Sequence, residues 1–272
     1  MNSDDRHTVR SEKEWARRFG GVDRLYGAGS WQCLARSQVT LIGLGGVGSW
    51  TAEALARSGV GRLTLIDLDD VCVTNTNRQL PALTGTIGMS KAEVLEQRIN
   101  EINPEAEVTP VLEFLTAGNA ERLLADPTDV IVDAVDRMAI KALILHTAVQ
   151  LHRPVVTVGS SGGKRMAHLV QIADLGASGG DELLKQVRKR LRRTHGWSRG
   201  EGQRYGVTAV FSTEPRVFPQ EDGSVCATRE SEESLRMDCA TGLGAACHVT
   251  ATFGMVLAQV VIEQLLASAE HG

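Results

Sequence analysis

The chain has 272 residues, 42% of them hydrophobic and 23% charged, enough apolar material for one sizeable core in a single domain. A formal net charge of −4 and a pI near 6.0 exclude a globally basic nucleic-acid-binding protein, so any nucleic-acid contact must come from a local basic segment. Five cysteines, at 33, 72, 226, 239 and 247 and without a Cys-x-x-Cys pair, exclude a disulfide framework and a zinc ribbon, and a reducing, cytoplasmic compartment is the expectation.

Met1 to Arg10 is polar and of mixed charge, without the apolar run of a secretory signal. Residues 11–36 read as a helical lead-in, with Trp15, Phe19, Leu25, Trp31 and Leu34 as its apolar contacts. Val39 to Ile42 reads as a buried strand, Gly43-Leu44-Gly45-Gly46-Val47-Gly48 as a glycine turn, Ser49 to Ser58 as a helix stopped by Gly59, and Arg62 to Ile66 as the next strand. A helix at Ser90 to Ile99, a strand at Val108 to Leu112 and helical sequence around Ala120 to Leu124 follow. Val130 to Ala134 reads as a strand, Ala139 to Leu151 as a helix and Pro154 to Val158 as a strand. This alternation predicts an α/β fold, a Rossmann-like and mostly parallel sheet with flanking helices.

Residues 177–205 read as an insertion, glycine-rich at both ends and basic between. Within it, Lys185 to Arg193 places six cations in nine residues, opposite a stripe of Leu183, Leu184, Val187 and Leu191. A helix docked by that stripe turns its cations toward phosphates; the plainer alternative is a solvated helix face. Ala240 to Ile262 contains no Asp, Glu, Lys or Arg and is long enough to span a bilayer, but His248 and several Gly and Thr residues dilute it. An apolar C-terminal helix over 240–268, buried against the sheet or a second subunit, is expected, with no membrane insertion.

The glycine turn is the first chemical signal. Gly43, Gly45 and Gly48, with Gly46 beside them, allow a tight strand-to-helix turn and leave helix N-terminal amides open to a phosphate. Asp67 ends the next strand about 20 residues beyond the last glycine, where a carboxylate accepts hydrogen bonds from ribose hydroxyls. This fingerprint alone suits a nicotinamide or flavin enzyme equally well. The stretch Gly159-Ser160-Ser161-Gly162-Gly163-Lys164-Arg165 has the wrong spacing for a P-loop.

The residues after Asp67 discriminate. Asp67-Leu68-Asp69-Asp70-Val71-Cys72-Val73-Thr74-Asn75-Thr76-Asn77-Arg78-Gln79, then Lys91 after Gly88-Met89-Ser90, then Asp136, resemble the superfamily of ubiquitin-activating and molybdopterin-synthase-adenylating enzymes, with its ThiF-type adenylation fold. The resemblance implies ATP and Mg²⁺ as cofactors. It implies Asp67 as ribose ligand with Asp69 beside it, Asn75 and Arg78 as phosphate contacts, Lys91 as an α- or γ-phosphate contact and Asp136 as the Mg²⁺ ligand. Transfer of AMP to a carboxylate gathers negative charge on the α-phosphate and expels pyrophosphate, so cations and a carboxylate-held Mg²⁺ are what that chemistry needs.

Within the superfamily the wording is similar to one branch, the tRNA threonylcarbamoyladenosine dehydratases. The similarity is carried by Arg18-Phe19-Gly20-Gly21, Arg24-Leu25-Tyr26-Gly27, the run from Asp70 to Gln79, Phe211-Ser212-Thr213-Glu214, Asp222-Gly223-Ser224-Val225-Cys226 and Arg236-Met237-Asp238-Cys239-Ala240. The two Cys-x-x-Cys pairs usual in carrier-protein-activating members are missing, which agrees with the tRNA branch. That branch implies a tRNA substrate, a homodimer whose Arg18 reaches the partner's triphosphate, and Cys239 as a candidate acyl acceptor, with direct cyclisation from the adenylate as the alternative. A monovalent cation near Cys226 to Cys239 and a sulfur-transfer protein are further candidates for cofactor and partner. Cys72, Cys226 and Cys247 read as packing residues. Two other functions stay open: adenylation of the C-terminus of a sulfur-carrier or ubiquitin-like protein, and a nucleotide-binding scaffold or activator of a partner such as a cysteine desulfurase.

Overall fold

The computed structural model describes residues 3–198, 204–220, 222–227 and 243–269, with residues 3–12 as backbone only. Seven strands form one sheet: β1 (Gln38–Ile42), β2 (Arg62–Ile66), β3 (Glu107–Val111), β4 (Val130–Asp133), β5 (Val155–Val158), β6 (Val170–Asp174) and β7 (Thr208–Ser212). Their order is β3-β2-β1-β4-β5-β7-β6, all parallel except β6, which runs against β7. A short hairpin, β8 (Phe218–Pro219) with β9 (Val225–Cys226), lies outside this sheet. The expected mostly parallel sheet is therefore present. Central β1 pairs Leu41 with Leu65 on one side and with Val132 on the other. Helices cover both of its faces, which is why Val39 to Ile42 are all buried instead of alternating.

On one face lie α1 (Ser3–Tyr26), α2 (Ser30–Arg36), α3 (Gly48–Arg57) and α4 (Lys91–Ile102). The other carries α5 (Ala120–Ala125), α6 (Met138–Gln150) and α7 (Glu182–His195). A last helix, α8 (Cys247–Ala269), returns to the first face. Leu41, Leu65, Leu55, Leu95 and Phe253 centre one core, and Ile42, Ile131, Ile144, Leu184 and Phe211 the other. Strand order reverses between β1 and β4, so the crevice for a ligand opens at their carboxyl ends.

Three sequence expectations change in detail. The lead-in is two helices, parted where Gly27 and Gly29 both take positive φ. The supposed insertion is part of the framework: α7 fills the crossover between β6 and β7, with Leu184, Val187 and Leu191 buried in the second core. Asp181 caps its start by accepting the Leu184 N–H at 3.0 Å, and Gly196 closes its end at φ 69°. The C-terminal helix begins at Cys247 rather than at 240.

With 23 residues and a mean hydropathy of 1.6 over an 18-residue stretch, α8 is long and apolar enough to cross a membrane, yet in this fold it is a core helix. It crosses α3 at Gly254, where a Cβ would stand 2.7 Å from both the Val47 carbonyl oxygen and the Trp50 Cβ. Thr51 Oγ1 donates to the Gly254 carbonyl at 3.2 Å. So close a crossing requires glycine.

Candidate active site

The glycine turn between β1 and α3 is locked to the segment after β4. Gly43 has φ 88°, and a Cβ there would lie 3.0 Å from the Ala134 carbonyl group and the Val135 nitrogen. At Gly48 a Cβ would fall 1.9 Å from the Gly43 oxygen. Both positions therefore exclude a side chain on steric grounds. Gly46 faces Thr250 of α8 and Arg78, at 3.2 Å and 3.6 Å from its would-be Cβ. Gly45 meets nothing closer than Gln79 Nε2 at 3.9 Å, so the middle of the turn is left open as a cradle.

Asp67 holds this cradle in shape. Its Oδ2 accepts the Leu44 N–H at 2.7 Å and its Oδ1 accepts the Asp69 N–H at 2.9 Å. Each oxygen keeps a lone pair for a ribose hydroxyl. The next acid, Asp69, pairs through Oδ2 with Lys91 Nζ at 2.9 Å. Lys91 is the first residue of α4, and its nearly buried ammonium sits at the positive end of the helix dipole. Asp69 offsets that placement and holds the ammonium beside the cradle's rim.

Asn75 and Arg78 lie on the segment between Asp69 and Lys91. Asn75 is buried and its Oδ1 accepts the Cys72 N–H at 3.1 Å, leaving its amide nitrogen without a partner among the described residues. The half-exposed Arg78 donates to the Thr74 carbonyl at 2.8 Å and to Asn77 Oδ1 at 3.0 Å. Its own carbonyl accepts from Trp50 Nε1 at 3.2 Å and Thr250 Oγ1 at 3.1 Å. Further guanidinium N–H groups are left for an anion.

Asp136 is exposed and makes no side-chain hydrogen bond or ion pair among the described residues. No cluster of three His, Cys, Asp or Glu exists among those residues. One carboxylate does not hold a metal alone, but it suits Mg²⁺, which takes one or two carboxylates and completes its shell with phosphate oxygens and water. The residues present therefore fit a nucleotide-borne Mg²⁺.

Two candidates stand apart. Arg18 pairs with Glu14 at 3.2 Å and donates to the Ile102 carbonyl at 3.2 Å, at the far end of α4 and about 17 Å along that helix from Lys91. It does not join the cradle of this chain. Cys239 lies outside the described residues. The packing role expected for Cys72, Cys226 and Cys247 is wrong, because all three are exposed. Cys72 opens the turn that carries Asn75 and takes the Thr74 Oγ1 hydrogen bond at 3.2 Å. The hydrogen bonds from Thr74 hold its thiol below the usual range, with a smaller contribution from Lys91.

The basic helix also differs from expectation. Arg188 is spent inside the fold, donating to the Leu175 carbonyl at 3.2 Å, to the Ser178 carbonyl at 2.7 Å and to Ser178 Oγ. The exposed cations are Lys185, Lys189 and Arg193, spaced four residues apart on one face. Sequence reasoning missed a further feature. Leu68, Leu112 and Phe114 are exposed just beyond the carboxyl ends of β2 and β3, and the Arg137 guanidinium stands 5.8 Å from the Phe114 ring. An apolar surface next to Asp67 suits a flat heterocycle. The available signal was a large apolar residue within one to three positions of each strand end.

Comparison with known proteins agrees with this geometry. The family model described as ThiF family matches residues 22–271. This chain belongs to the ThiF family. Within the ThiF family it is 44% identical over 256 residues to the tRNA threonylcarbamoyladenosine dehydratase of Escherichia coli K12, covering 94% of this chain and 96% of that one. The Bacillus subtilis protein of the same name is 38% identical over 70% of this chain and 72% of its own length. Among solved structures, the Escherichia coli tRNA N6-threonylcarbamoyladenosine dehydratase, TcdA, in complex with ATP superposes with a TM-score of 0.84 at 39% identity, covering 95% of this chain and 97% of that chain.

Proposed function

We propose that this ThiF-family chain is an ATP-dependent tRNA threonylcarbamoyladenosine dehydratase. The observation that carries the reading is the glycine cradle clasped by Asp67 and rimmed by Lys91 and Arg78. In this reaction the substrate's carboxylate attacks the α-phosphorus of ATP and pyrophosphate leaves. A carbamoyl atom of the same group then attacks the acyl carbon, gives up a proton, and AMP departs with the former carboxylate oxygen. The net change is loss of water, and ring closure within one group gains from enforced proximity. Arg78, Lys91 and the Asn75 amide supply donors to the phosphates, and the open turn at Gly45 receives them through backbone N–H groups. Asp136 would hold Mg²⁺, which when bound would supply neutralisation of phosphate charge. The enzyme works in the cytoplasm.

Purified protein with ATP and Mg²⁺ is expected to form AMP only when threonylcarbamoylated tRNA is present. Release of ADP and phosphate instead would overturn the adenylation reading.

The tRNA docks on α7 through Lys185, Lys189 and Arg193. Reversing these three to Glu is expected to weaken tRNA binding at least about tenfold and to reduce the salt slope by about 3, with ATP binding unchanged. Arg188→Ala acts differently: it removes the donor to the Ser178 carbonyl, while the Leu175 carbonyl keeps the Ser178 hydroxyl at 2.8 Å, and it lowers thermal stability. Equal tRNA affinity in the triple reversal returns α7 to a solvated face.

Two protomers assemble so that Arg18 of one completes the site of the other, since Arg18 stands at the opposite end of α4 from its own cradle. Mixing Arg18→Ala with Asp67→Ala subunits is expected to restore about a quarter of full activity, because a heterodimer keeps one intact site. Absence of recovery after verified subunit exchange removes the trans role.

A further inference from the structure

Beneath the cradle, Asp133, Lys141 and Thr157 form a closed polar triad, each of them fully buried. Strand β4, helix α6 and strand β5 contribute one residue apiece. Lys141 Nζ lies 2.8 Å from Asp133 Oδ2 and 3.1 Å from Thr157 Oγ1, and Thr157 Oγ1 donates to the same carboxylate oxygen at 2.7 Å. A buried ion pair is often no more stabilising than apolar residues of the same shape, so core packing alone does not account for this triad.

Its position does. The second carboxylate oxygen, Asp133 Oδ1, accepts the Val135 N–H at 3.2 Å, and Lys141 Nζ also reaches the Asp133 carbonyl at 3.4 Å. From the opposite side Gly43 closes on Ala134 and Val135 so tightly that no Cβ fits between them. The backbone of residues 134–135 is thus gripped from two directions, and the next residue is Asp136. That carboxylate has no side-chain partner of its own among the described residues, so only its backbone aims it.

We propose that Lys141 is a positioning residue for Asp136: by anchoring Asp133 it fixes the 134–136 backbone and sets the direction of the metal-holding carboxylate. The inference rests on reading Asp136 as the Mg²⁺ ligand. Lys141 itself touches neither nucleotide nor metal.

The test uses Mn²⁺ as probe, its binding to the full-length protein followed by electron paramagnetic resonance with an ATP analogue bridged by methylene between the α- and β-phosphates. Lys141→Met is expected to weaken Mn²⁺ about tenfold in that complex, in the range seen when groups supporting a metal ligand are lost. Metal-free analogue affinity and tRNA affinity should stay within about twofold. A folded Lys141→Met protein with unchanged Mn²⁺ affinity overturns the proposal. If Lys141→Met does not fold, the pair Asp133→Asn with Lys141→Met removes both buried charges while keeping an acceptor for the Val135 N–H. A Mn²⁺ affinity lowered at least about threefold in that pair supports the anchoring role, and an unchanged one overturns it. Asp136→Asn separates the two readings. Loss of Mn²⁺ there but not in Lys141→Met removes only the positioning role, whereas no loss in either removes Asp136 as the ligand.

Discussion

Asp136→Asn protein, given ATP, Mg²⁺ and threonylcarbamoylated tRNA, is expected to form AMP about a thousandfold more slowly than the unsubstituted enzyme. That factor corresponds to roughly 4 kcal/mol of transition-state stabilisation, a reasonable share for a metal that neutralises charge on a transferring phosphoryl group. Little else should change. The side chain is exposed and bonds to nothing among the described residues, so the melting temperature should move by no more than surface substitutions usually cause, about 0.5 kcal/mol. Binding of tRNA should also persist, because α7 lies on the far side of α6 from the cradle's strands. Single-turnover AMP formation, calorimetric melting and filter binding together check this. Activity within tenfold of the unsubstituted enzyme would mean that the metal is held elsewhere or is not required.

Gly48→Ala should be nearly as damaging by another route. The added carbon would sit 1.9 Å from the Gly43 oxygen, well inside contact distance and against backbone that cannot rotate away. Relief requires the turn to move off Ala134 and Val135, which opens the cradle. We expect a loss of about 3 kcal/mol, felt both as lowered stability and as an ATP affinity reduced on the order of a hundredfold. Gly45→Ala is the informative control. Its Cβ would meet only Gln79 at 3.9 Å, and its φ is not positive, so the fold should be unaffected while the methyl group occupies the phosphate cradle. Equilibrium nucleotide binding on the two folded proteins separates collapse of the loop from simple obstruction. Normal ATP binding by Gly45→Ala would show that phosphate does not lie in this turn.

Much of the chain from β1 to Lys91 was legible because its signals are local. A strand buried on both faces reads as Val39-Thr40-Leu41-Ile42, and the glycines of the turn follow it directly, even though the groups that Gly43 and Gly46 meet, Ala134, Val135 and Thr250, lie far along the chain. Asp67 at a strand end and Lys91 at a helix start keep their meaning without any knowledge of the rest. What escaped depends on distant partners. Helical periodicity places Arg188 on the polar side of α7, but only the fold brings the carbonyls of Leu175 and Ser178 to it. The edge strand Val170–Asp174 carries Gln171 and Asp174 and is half-exposed, so it lacks the apolar run that marked the others, and without it α7 looked inserted. Cys72 and Cys247 were assigned to the interior on the habits of their residue type, whereas each opens a turn or helix facing solvent. Leu68, Leu112 and Phe114 form a wall only once β2 and β3 are side by side.

The crossing of α8 over α3 has a temporal meaning. The glycine loop and Asp67 lie within the first quarter of the chain, yet Gly46 is backed by Thr250, and the helix that springs from the loop is roofed at Val47 and Trp50 by Gly254. On a ribosome making about 5–20 residues per second, the first part of the cradle leaves the exit tunnel many seconds before the residues that roof it. A nascent chain therefore carries every phosphate-facing group and still has no rigid place to put a phosphate. Competence for nucleotide is therefore expected to arrive with the closing helix.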